Sequence, residues 1–228
     1  MRVVTGEAKG RKLKAPKTMG TRPIIDRVKT ALFDILSTEV EDARFLDLFG
    51  GTGSVGIEAL SRGATSATFI EMNYKVLKLL RENLQITQLA DRAETIHGDA
   101  FKFLQTHSGT HATHAQPSVG TDGSRPLADG SRSGVVGQRV YDIIYVAPPQ
   151  YHEMAAQALQ LLDGSALVAP EGLVIVQVHP KERVGVVAVQ CTQLRLDDER
   201  RYGSTLLLFY RQDLQMEHST NGDTVQEA

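Results

Sequence analysis

The chain has 228 residues, 41% of them hydrophobic, which is enough for one α/β domain with extensions to bury a stable core. Its single cysteine, Cys191, excludes an internal disulfide. The opening MRVVTGEAKGRK lacks the apolar run of a secretory signal, and the runs LVIVQV and TLLLFY are far shorter than the about 20 residues that cross a bilayer. We therefore expect a cytoplasmic protein without membrane contact, and a monomer because no heptads or apolar surface stripe occur.

The net charge of −2 conceals a basic beginning. Residues 1–29 carry nine Lys or Arg against Glu7 and Asp26, a net charge of +7, which leaves −9 for the rest of the chain. Clustered basic residues bind polyanions because phosphate contacts release counterions. The charge pattern favours a nucleic-acid partner about as much as a solvated flexible tail.

The hydrophobic pattern predicts alternating helices and strands. After Pro23, the residues Val28, Ala31, Leu32, Ile35 and Leu36 recur at the spacing of an amphipathic helix. Five strands follow in the order RFLDLF, SATFIEM, AETIHGDA, VYDIIYV and EGLVIVQVHP. Helical stretches lie between them as VGIEALSRG, YKVLKLLRENLQ behind the cap Asn73, AFKFL and HEMAAQALQLLD. This order predicts an α/β fold with a doubly wound, Rossmann-like, mostly parallel sheet.

Later segments are less regular. The stretch VGVVAVQCTQLRLDDERRYGSTLLLFYRQ has two apolar or alternating runs separated by a charged turn region, which predicts an antiparallel strand pair at the sheet edge. Residues 106–139 contain six Gly, five Ser and four Thr, so we predict a disordered insertion there, and a flexible tail over residues 212–228. No metal site is expected at His107, His111 and His114, because no Cys or carboxylate ligand accompanies them.

The most informative motif is LDLFGGTGSVGIEAL. Gly51, Gly53 and Gly56 form the pattern G-x-G-x-x-G between a strand and a helix, and Glu71 lies twenty residues beyond Gly51 at the end of the next strand. Glycines let the backbone approach a ligand, and a carboxylate at that strand end can accept hydrogen bonds from two ribose hydroxyls. The motif predicts a bound nucleoside.

Asp47 favours one nucleoside over a dinucleotide. A carboxylate just before the glycines repels a pyrophosphate but can face the sulfonium and amino-acid group of S-adenosylmethionine. Asp99, after the third strand, has two open interpretations, as an acceptor for the adenine amino group or as a helix N-cap. For Asp47 and Glu71 the alternative is a solvated loop carboxylate. The predicted cofactor-binding residues are Asp47, Phe49, Gly50, Gly51, Thr52, Gly53, Glu71, Met72, Asp99 and Ala100.

The chain resembles the class I S-adenosylmethionine-dependent methyltransferases, and more closely the RsmD-type family that methylates a guanine amino group in 16S ribosomal RNA. The resemblance rests on RVVTGEAKGRKL, TRPIIDRVKTALFDIL, DLFGGTGSVGIEALSRGA, FIE, GDA and RYGSTLLLFY. It implies a seven-stranded sheet whose last strand is antiparallel. It also implies a basic, RNA-contacting extension over residues 1–40 and a methyltransferase domain over residues 41–211.

The fourth strand of that family ends in Asp or Asn, two prolines and an aromatic residue. The corresponding residues here, which the resemblance implies to be catalytic, are Ala147, Pro148, Pro149, Gln150 and Tyr151. In the family the first side chain and a proline carbonyl orient the amino group of a flipped base, and the aromatic ring stacks on it. Ala147 offers no such acceptor and Gln150 no ring, whereas Tyr151 can supply a ring one position later.

The resemblance further implies contacts to the RNA substrate from the amino-terminal region, at Arg11, Lys12, Arg22, Pro23 and Arg27. For Arg27 the alternative is an exposed ion pair with Asp26. The expected partner is 16S ribosomal RNA or the assembling small ribosomal subunit, and the expected reaction is methylation of a guanine N2. Two other functions stay open, a catalytically impaired protein that binds S-adenosylmethionine and RNA, and a methyltransferase for another nucleic-acid amino group.

Overall fold

A computed structural model describes residues 1–16, 26–107, 139–149 and 153–213. The helices in these ranges are α1 (Asp26–Leu36), α2 (Ser54–Ser61), α3 (Tyr74–Thr87), α4 (Ala100–His107), α5 (Met154–Leu162) and α6 (Arg183–Val187). The strands are β1 (Arg44–Asp47), β2 (Ser66–Glu71), β3 (Ala93–His97), β4 (Tyr141–Val146), β5 (Val168–Val178), β6 (Leu194–Tyr202) and β7 (Thr205–Gln212). Single 3-10 turns occur at Ser37–Val40, Ala90–Arg92 and Pro180–Glu182.

The strands form a seven-stranded sheet in the order β3-β2-β1-β4-β5-β7-β6. The first five strands in this order are mutually parallel, and β7 runs antiparallel to both β5 and β6. The predicted Rossmann-like, mostly parallel sheet and its antiparallel end are therefore confirmed. The direction of winding reverses between β1 and β4, and open α/β sheets bind ligands at the carboxyl ends of strands at such a point.

Alternate side chains of the central strands enter two separate hydrophobic cores. Phe45 and Ile143 pack in the core that α1, α2 and α3 cover, whereas Leu46 and Ile144 pack in the core that α4, α5 and α6 cover. All four side chains are at most 2% exposed. Strands buried on both faces carry apolar residues at successive positions, which is why these strands read as continuous apolar runs in the sequence.

The antiparallel pair at the end of the sheet is confirmed, but the charged region between the two runs is not its turn. The apolar run at the start of that stretch contains α6, and the charged residues themselves form β6. The turn lies at Gly203, whose φ is 61°. Because β6 is an edge strand, its charged side chains remain in water and discourage further strand pairing, so they are compatible with a strand.

Residues 1–16 pack against the domain. Val3 and Ala8 are each 1% exposed, and an antiparallel bridge joins Arg2 to Lys12. The backbone N–H of Ala8 donates to Ser61 Oγ at 3.0 Å. This segment therefore belongs to the folded core beside α2.

A buried ion pair fixes this segment and α1 to α2. Glu58 and Lys29 side chains are both 0% exposed, with Lys29 Nζ 3.0 Å from Glu58 Oε2. The Glu58 oxygens also accept hydrogen bonds from the backbone N–H groups of Val4 at 2.8 Å and Thr5 at 2.9 Å. Lys29 Nζ donates to the Arg2 carbonyl at 2.6 Å. Both buried charges are thus neutralised and hydrogen-bonded, as burial of ions requires.

Several predictions fall outside the described residues, namely those for residues 108–138 and 214–228 and for Arg22, Pro23, Gln150 and Tyr151. The predicted insertion begins too early, because α4 continues through His107. Similarly, β7 includes Gln212, the first residue of the predicted tail. Over the ranges that the structure covers, no helix is long and apolar enough to cross a membrane, and no cluster of three or more His, Cys, Asp or Glu could hold a metal.

We expect Lys29→Met to lower the free energy of unfolding by up to about 3–5 kcal/mol, because it leaves the buried Glu58 carboxylate with only Arg62, 3.2 Å away, as a countercharge. Denaturant unfolding monitored by circular dichroism measures the loss. Arg183→Ala is the matched control, since its ion pair with Glu199 is about 40% exposed on both sides and contributes below about 1 kcal/mol. Equal effects of the two substitutions would contradict the structural importance of the buried pair.

Candidate cofactor and substrate site

The carboxyl ends of four adjacent parallel strands bring the predicted site residues together. Asp47 ends β1 and Glu71 ends β2, while Asp99 follows β3 and Ala147 follows β4. The strand order β3-β2-β1-β4 places them along one edge of the sheet. The predicted carboxylates and the predicted catalytic turn therefore lie together at the carboxyl edge of the sheet, where open α/β sheets form their ligand-binding cleft.

The glycine loop makes a tight turn from β1 into α2. The N–H of Gly50 donates to the Ile70 carbonyl at 2.8 Å, and the N–H of Gly53 donates to the Gly50 carbonyl at 2.8 Å. Gly53 has a φ of 83°, which side chains strongly disfavour. A Cβ on Gly56 would lie 2.3 Å from the Phe69 ring, so this glycine permits α2 to pack directly on β2. The loop is consequently held against the sheet, with Gly50, Thr52 and Gly53 buried and Gly51 part-exposed.

Glu71 joins two loops through its two carboxylate oxygens. Oε2 accepts the N–H of Gly51 at 3.0 Å, and Oε1 accepts the N–H of Asn73 at 2.7 Å. Partial burial raises the pKa of Glu71, and the N–H groups of Asn73 and Gly51 act in the opposite direction. A carboxylate has about four acceptor positions, so Glu71 can still accept hydrogen bonds from hydroxyl groups of a ligand. Its fixed position contradicts the alternative of a freely solvated loop carboxylate.

Asp47 is buried beneath the glycine loop, with 2% of its surface exposed. Its Oδ2 accepts the N–H of Gly56 at 3.3 Å, in the first turn of α2. Burial raises the pKa of Asp47 to about 7; the Gly56 N–H opposes this rise and the charge of Glu71 adds to it. The solvated alternative is wrong for Asp47 as well. A cation beside this carboxylate would favour its ionised form.

Asp99 caps α4, because its Oδ1 accepts the N–H of Lys102 at 2.9 Å. The capping interpretation is confirmed, and the adenine contact stays a prediction. Ala100, the next predicted residue, is 7% exposed, and Met72 is 68% exposed beside Glu71. An exposed methionine at this position can cover one face of an aromatic base.

Two further aromatic side chains, His97 and Phe101, lie in this region and were missed by sequence reasoning. His97 Nε2 is 3.0 Å from the Met72 carbonyl oxygen, and its ring packs edge-on against Tyr74 with centroids 5.5 Å apart. The ring of Phe101 packs edge-on against Phe49 at 6.1 Å. Their positions could have indicated them, because His97 ends β3 and Phe101 lies in the first turn of α4. They extend the apolar part of the cleft beyond the predicted set.

At the end of β4, Ala147 is half-buried, Pro148 is buried and Pro149 is exposed. One strand residue on this face was also overlooked. Tyr145, 2% exposed, donates its hydroxyl to Gln177 Oε1 on the neighbouring strand β5 at 2.6 Å. Burial, with a smaller contribution from the charge of Asp47, raises the pKa of Tyr145 well above its ordinary value, so its hydroxyl stays protonated.

The predicted RNA-contacting residues differ in their surroundings. Arg11 donates to the Ile86 carbonyl at 2.7 Å and to Gln88 Oε1 at 2.8 Å, which ties it to the end of α3. Lys12 and Arg27 are exposed. The alternative for Arg27 was an ion pair with Asp26, but Asp26 instead pairs with Arg2 at 3.7 Å.

Comparison with known proteins identifies the family of the chain. The ribosomal RNA small subunit methyltransferase D of Escherichia coli is 29% identical over 217 residues, which are 95% of this chain and 92% of that protein. Residues 1–115 and 129–211 match the family described as Conserved hypothetical protein 95. This chain belongs to the RsmD-type methyltransferase family. The family is one of S-adenosylmethionine-dependent methyltransferases.

Solved structures support the same assignment. The Escherichia coli protein yhhF is 28% identical and covers 94% of this chain and 99% of its own, with a TM-score of 0.70. An RNA methyltransferase from Salinibacter ruber, solved with S-adenosyl-L-homocysteine, is 13% identical and covers 88% of this chain and 100% of its own. Its TM-score of 0.56 shows that the class I methyltransferase fold is shared.

The residues of this RsmD-type chain fit S-adenosylmethionine chemically. A nucleoside needs two hydroxyl acceptors and room for close backbone approach, and Glu71 with the glycine loop provides both. A cationic ligand needs a nearby anion, and Asp47 is a buried carboxylate at the adjacent strand end.

Asp47 gives the free protein a specific pH dependence. A carboxyl group whose pKa is raised to about 7 binds more protons in the folded than in the unfolded state, so its contribution to stability is lost as the pH rises from about 4 to about 7. We expect Asp47→Asn to abolish this pH-dependent loss of stability. The slope that it removes is at most about 1.4 kcal/mol per pH unit. Denaturant unfolding of both proteins between about pH 5 and about pH 8, the range over which the group titrates, measures the difference. Parallel stability curves would contradict the raised pKa.

Proposed function

We propose that this protein transfers the methyl group of S-adenosylmethionine to the exocyclic N2 of a guanine in 16S ribosomal RNA, either bare or in the assembling small subunit, in the cytoplasm. The observation that carries the proposal is the cleft of an RsmD-type chain in which Asp47, Glu71 and the glycine loop lie beside the Ala147-Pro148-Pro149 turn. The Escherichia coli relative named above supports the choice of small-subunit ribosomal RNA.

Each part of the cleft has a role toward the cofactor. S-adenosylmethionine supplies an electrophilic methyl group on a positively charged sulfur. Glu71, fixed by the N–H groups of Gly51 and Asn73, would accept hydrogen bonds from the ribose hydroxyls. Ionised Asp47 would face the positive charge, and Met72 and Phe101 would flank the base. These are contacts of binding and orientation, and none of these residues exchanges a proton with the substrate.

The substrate side of the cleft has to orient a weak nucleophile. The lone pair of a guanine amino group is delocalised into the ring, so the amino group must be held with its nitrogen aimed at the methyl carbon. The prolines at 148 and 149 have no N–H and fix their φ angles, so they present carbonyl oxygens in a rigid turn. The amino nitrogen forms the new bond, the electron pair of the broken bond stays on sulfur, and one N2 proton passes to water.

RNA binding would use exposed basic residues of the amino-terminal region. Lys12 and Arg27 project from the amino-terminal segment and α1, and neither forms an ion pair with another described residue. Free guanidinium and ammonium groups bind phosphates and release counterions on doing so. Arg11 keeps part of its guanidinium for Ile86 and Gln88, and so would contribute less to RNA affinity.

A second candidate follows from Ala147, which has no side-chain acceptor for the amino group. The alternative function is a protein that binds S-adenosylmethionine and RNA with little or no turnover. The two functions share both ligands, S-adenosylmethionine and RNA. They differ only in whether the methyl group is transferred.

We expect Glu71→Gln to weaken S-adenosylmethionine binding by about 10-fold to 100-fold, because hydrogen bonds to a charged acceptor contribute about 1.5–3 kcal/mol. Isothermal titration calorimetry measures the dissociation constant. Glu82→Gln removes an equal charge from an exposed position on α3 paired with Lys14, and should leave the affinity unchanged. An unchanged affinity in Glu71→Gln would exclude this cleft as the cofactor site.

Incubation with S-adenosylmethionine labelled in its methyl group should place label on a guanine N2 of 16S ribosomal RNA, identified by nuclease digestion and mass spectrometry. Bare RNA and 30S particles from cells lacking the endogenous enzyme are tested in parallel. Binding of both ligands without label, together with label after Ala147→Asp, would favour the impaired protein. Label on an adenine or cytosine amino group would identify a different target base.

A further inference from the structure

Ala147 stands where the family has an Asp or Asn side chain, and a polar residue, Gln177, lies next to it on the adjacent strand. Val146 of β4 is paired in register with Val176 of β5. The next residues along these parallel strands, Ala147 and Gln177, therefore lie side by side. Val146 and Val176 point into the core beneath α4 and α5, so Ala147 and Gln177 point to the opposite face, where Ala147 packs.

Gln177 is held in one orientation by Tyr145. The Tyr145 hydroxyl is buried and protonated, and it donates to Gln177 Oε1 at 2.6 Å. In this arrangement the oxygen rather than the nitrogen of the amide faces the hydroxyl. Gln177 is half-buried, and its Nε2 donates to no described residue. The amide thus directs two N–H donors and the second lone pair of its oxygen away from Tyr145.

This amide matches the edge of a guanine that carries N2. That edge has an N–H donor on N2 and an acceptor at the adjacent N3, and a glutamine amide offers the complementary acceptor and donor. A hydrogen bond from N2–H to Gln177 Oε1, together with one from Nε2 to N3, would hold the amino group in place with its nitrogen aimed at the methyl carbon. The family places this acceptor on the residue that is Ala147 here, whereas Gln177 would supply it from the next strand.

We propose that Gln177 binds the target guanine through N2 and N3 and replaces the acceptor that Ala147 lacks, and that Tyr145 is the positioning residue that orients the Gln177 amide. This inference rests on the proposed function. A substrate contact from β5 would thus compensate for the alanine that replaces the family's Asp or Asn at the end of β4.

The test compares single-turnover and steady-state methylation of 16S ribosomal RNA by variants of the full chain. Gln177→Ala should lower kcat/KM for RNA by about 10-fold to 100-fold, the loss expected for one or two hydrogen bonds, with the dissociation constant of S-adenosylmethionine unchanged. Tyr145→Phe should cause a smaller loss, and no further loss in the Gln177→Ala background, because it acts only through Gln177. Ala147→Asp should restore activity to Gln177→Ala by returning an acceptor to the cleft.

Two matched controls exclude general damage. Gln212→Ala removes a half-buried amide at the carboxyl end of β7, five residues beyond Leu207, which pairs with Gln177. Its Nε2 is 3.4 Å from Gln193 Oε1, and its removal should leave kcat/KM unchanged. Tyr210→Phe removes a buried hydroxyl that has no hydrogen-bond partner among the described residues, and should do the same. Thermal unfolding of every variant reports whether the fold is retained.

The outcomes separate the two levels of proposal. Label on guanine with wild-type protein, but a kcat/KM for Gln177→Ala within about threefold of wild type, would overturn the role of Gln177 alone. Additive losses for Tyr145→Phe and Gln177→Ala, or failure of Ala147→Asp to restore activity, would also overturn it. No label on any guanine with wild-type protein would contradict the proposed function, and the inference would fall with it.

Discussion

The buried carboxylate of Glu58 is the constraint on which the rest of the structure depends. It lies in α2, the helix that follows the glycine loop, and it holds the ammonium of Lys29 in α1 and the backbone N–H groups of Val4 and Thr5. One side chain therefore joins the amino-terminal segment, the first helix and the cofactor loop. Removing any one partner would leave a charge or a donor without compensation in the core, so these three elements are expected to fold as a unit. These contacts anchor residues 1–16 to the domain, where Arg11 meets the C-terminal end of α3.

The same principle of buried charge shapes the cofactor side of the cleft. Asp47 and Glu71 lie at neighbouring strand ends, and burial raises the pKa of both. Backbone N–H groups of Gly56, Gly51 and Asn73 offset part of this cost. A buried carboxylate has lost part of its hydration in the free protein. It therefore gains more binding free energy from a cationic or hydroxyl-bearing ligand than a solvated carboxylate does. On the proposed function, the stability lost by burying these carboxylates would be exchanged for affinity at this edge of the sheet.

The substrate side shows how a fold can keep a geometry after a motif changes. The double proline preserves the rigid turn after β4, while Ala147 removes the side chain that the family uses beside it. The parallel register of β4 and β5 brings Gln177 next to that position, and the buried hydroxyl of Tyr145 fixes its amide. Residues thirty positions apart in sequence become neighbours because adjacent strands share their carboxyl ends. A motif read along one strand cannot contain this information.

The sequence by itself determined the alternation of strands and helices, the glycine loop, the carboxylates at the strand ends and the capping of α3 by Asn73, because each of these depends on local periodicity or local hydrogen bonding. It misplaced β6 and missed α6, since an edge strand tolerates charge and a short apolar run fits a helix as well as a strand. Only the tertiary structure decided that Lys29 and Glu58 are buried partners, that Asp47 lies beneath the loop with a raised pKa, and that Tyr145 meets Gln177. Those features depend on contacts between distant segments, and burial and pairing across a sheet are fixed by the packing of the whole domain.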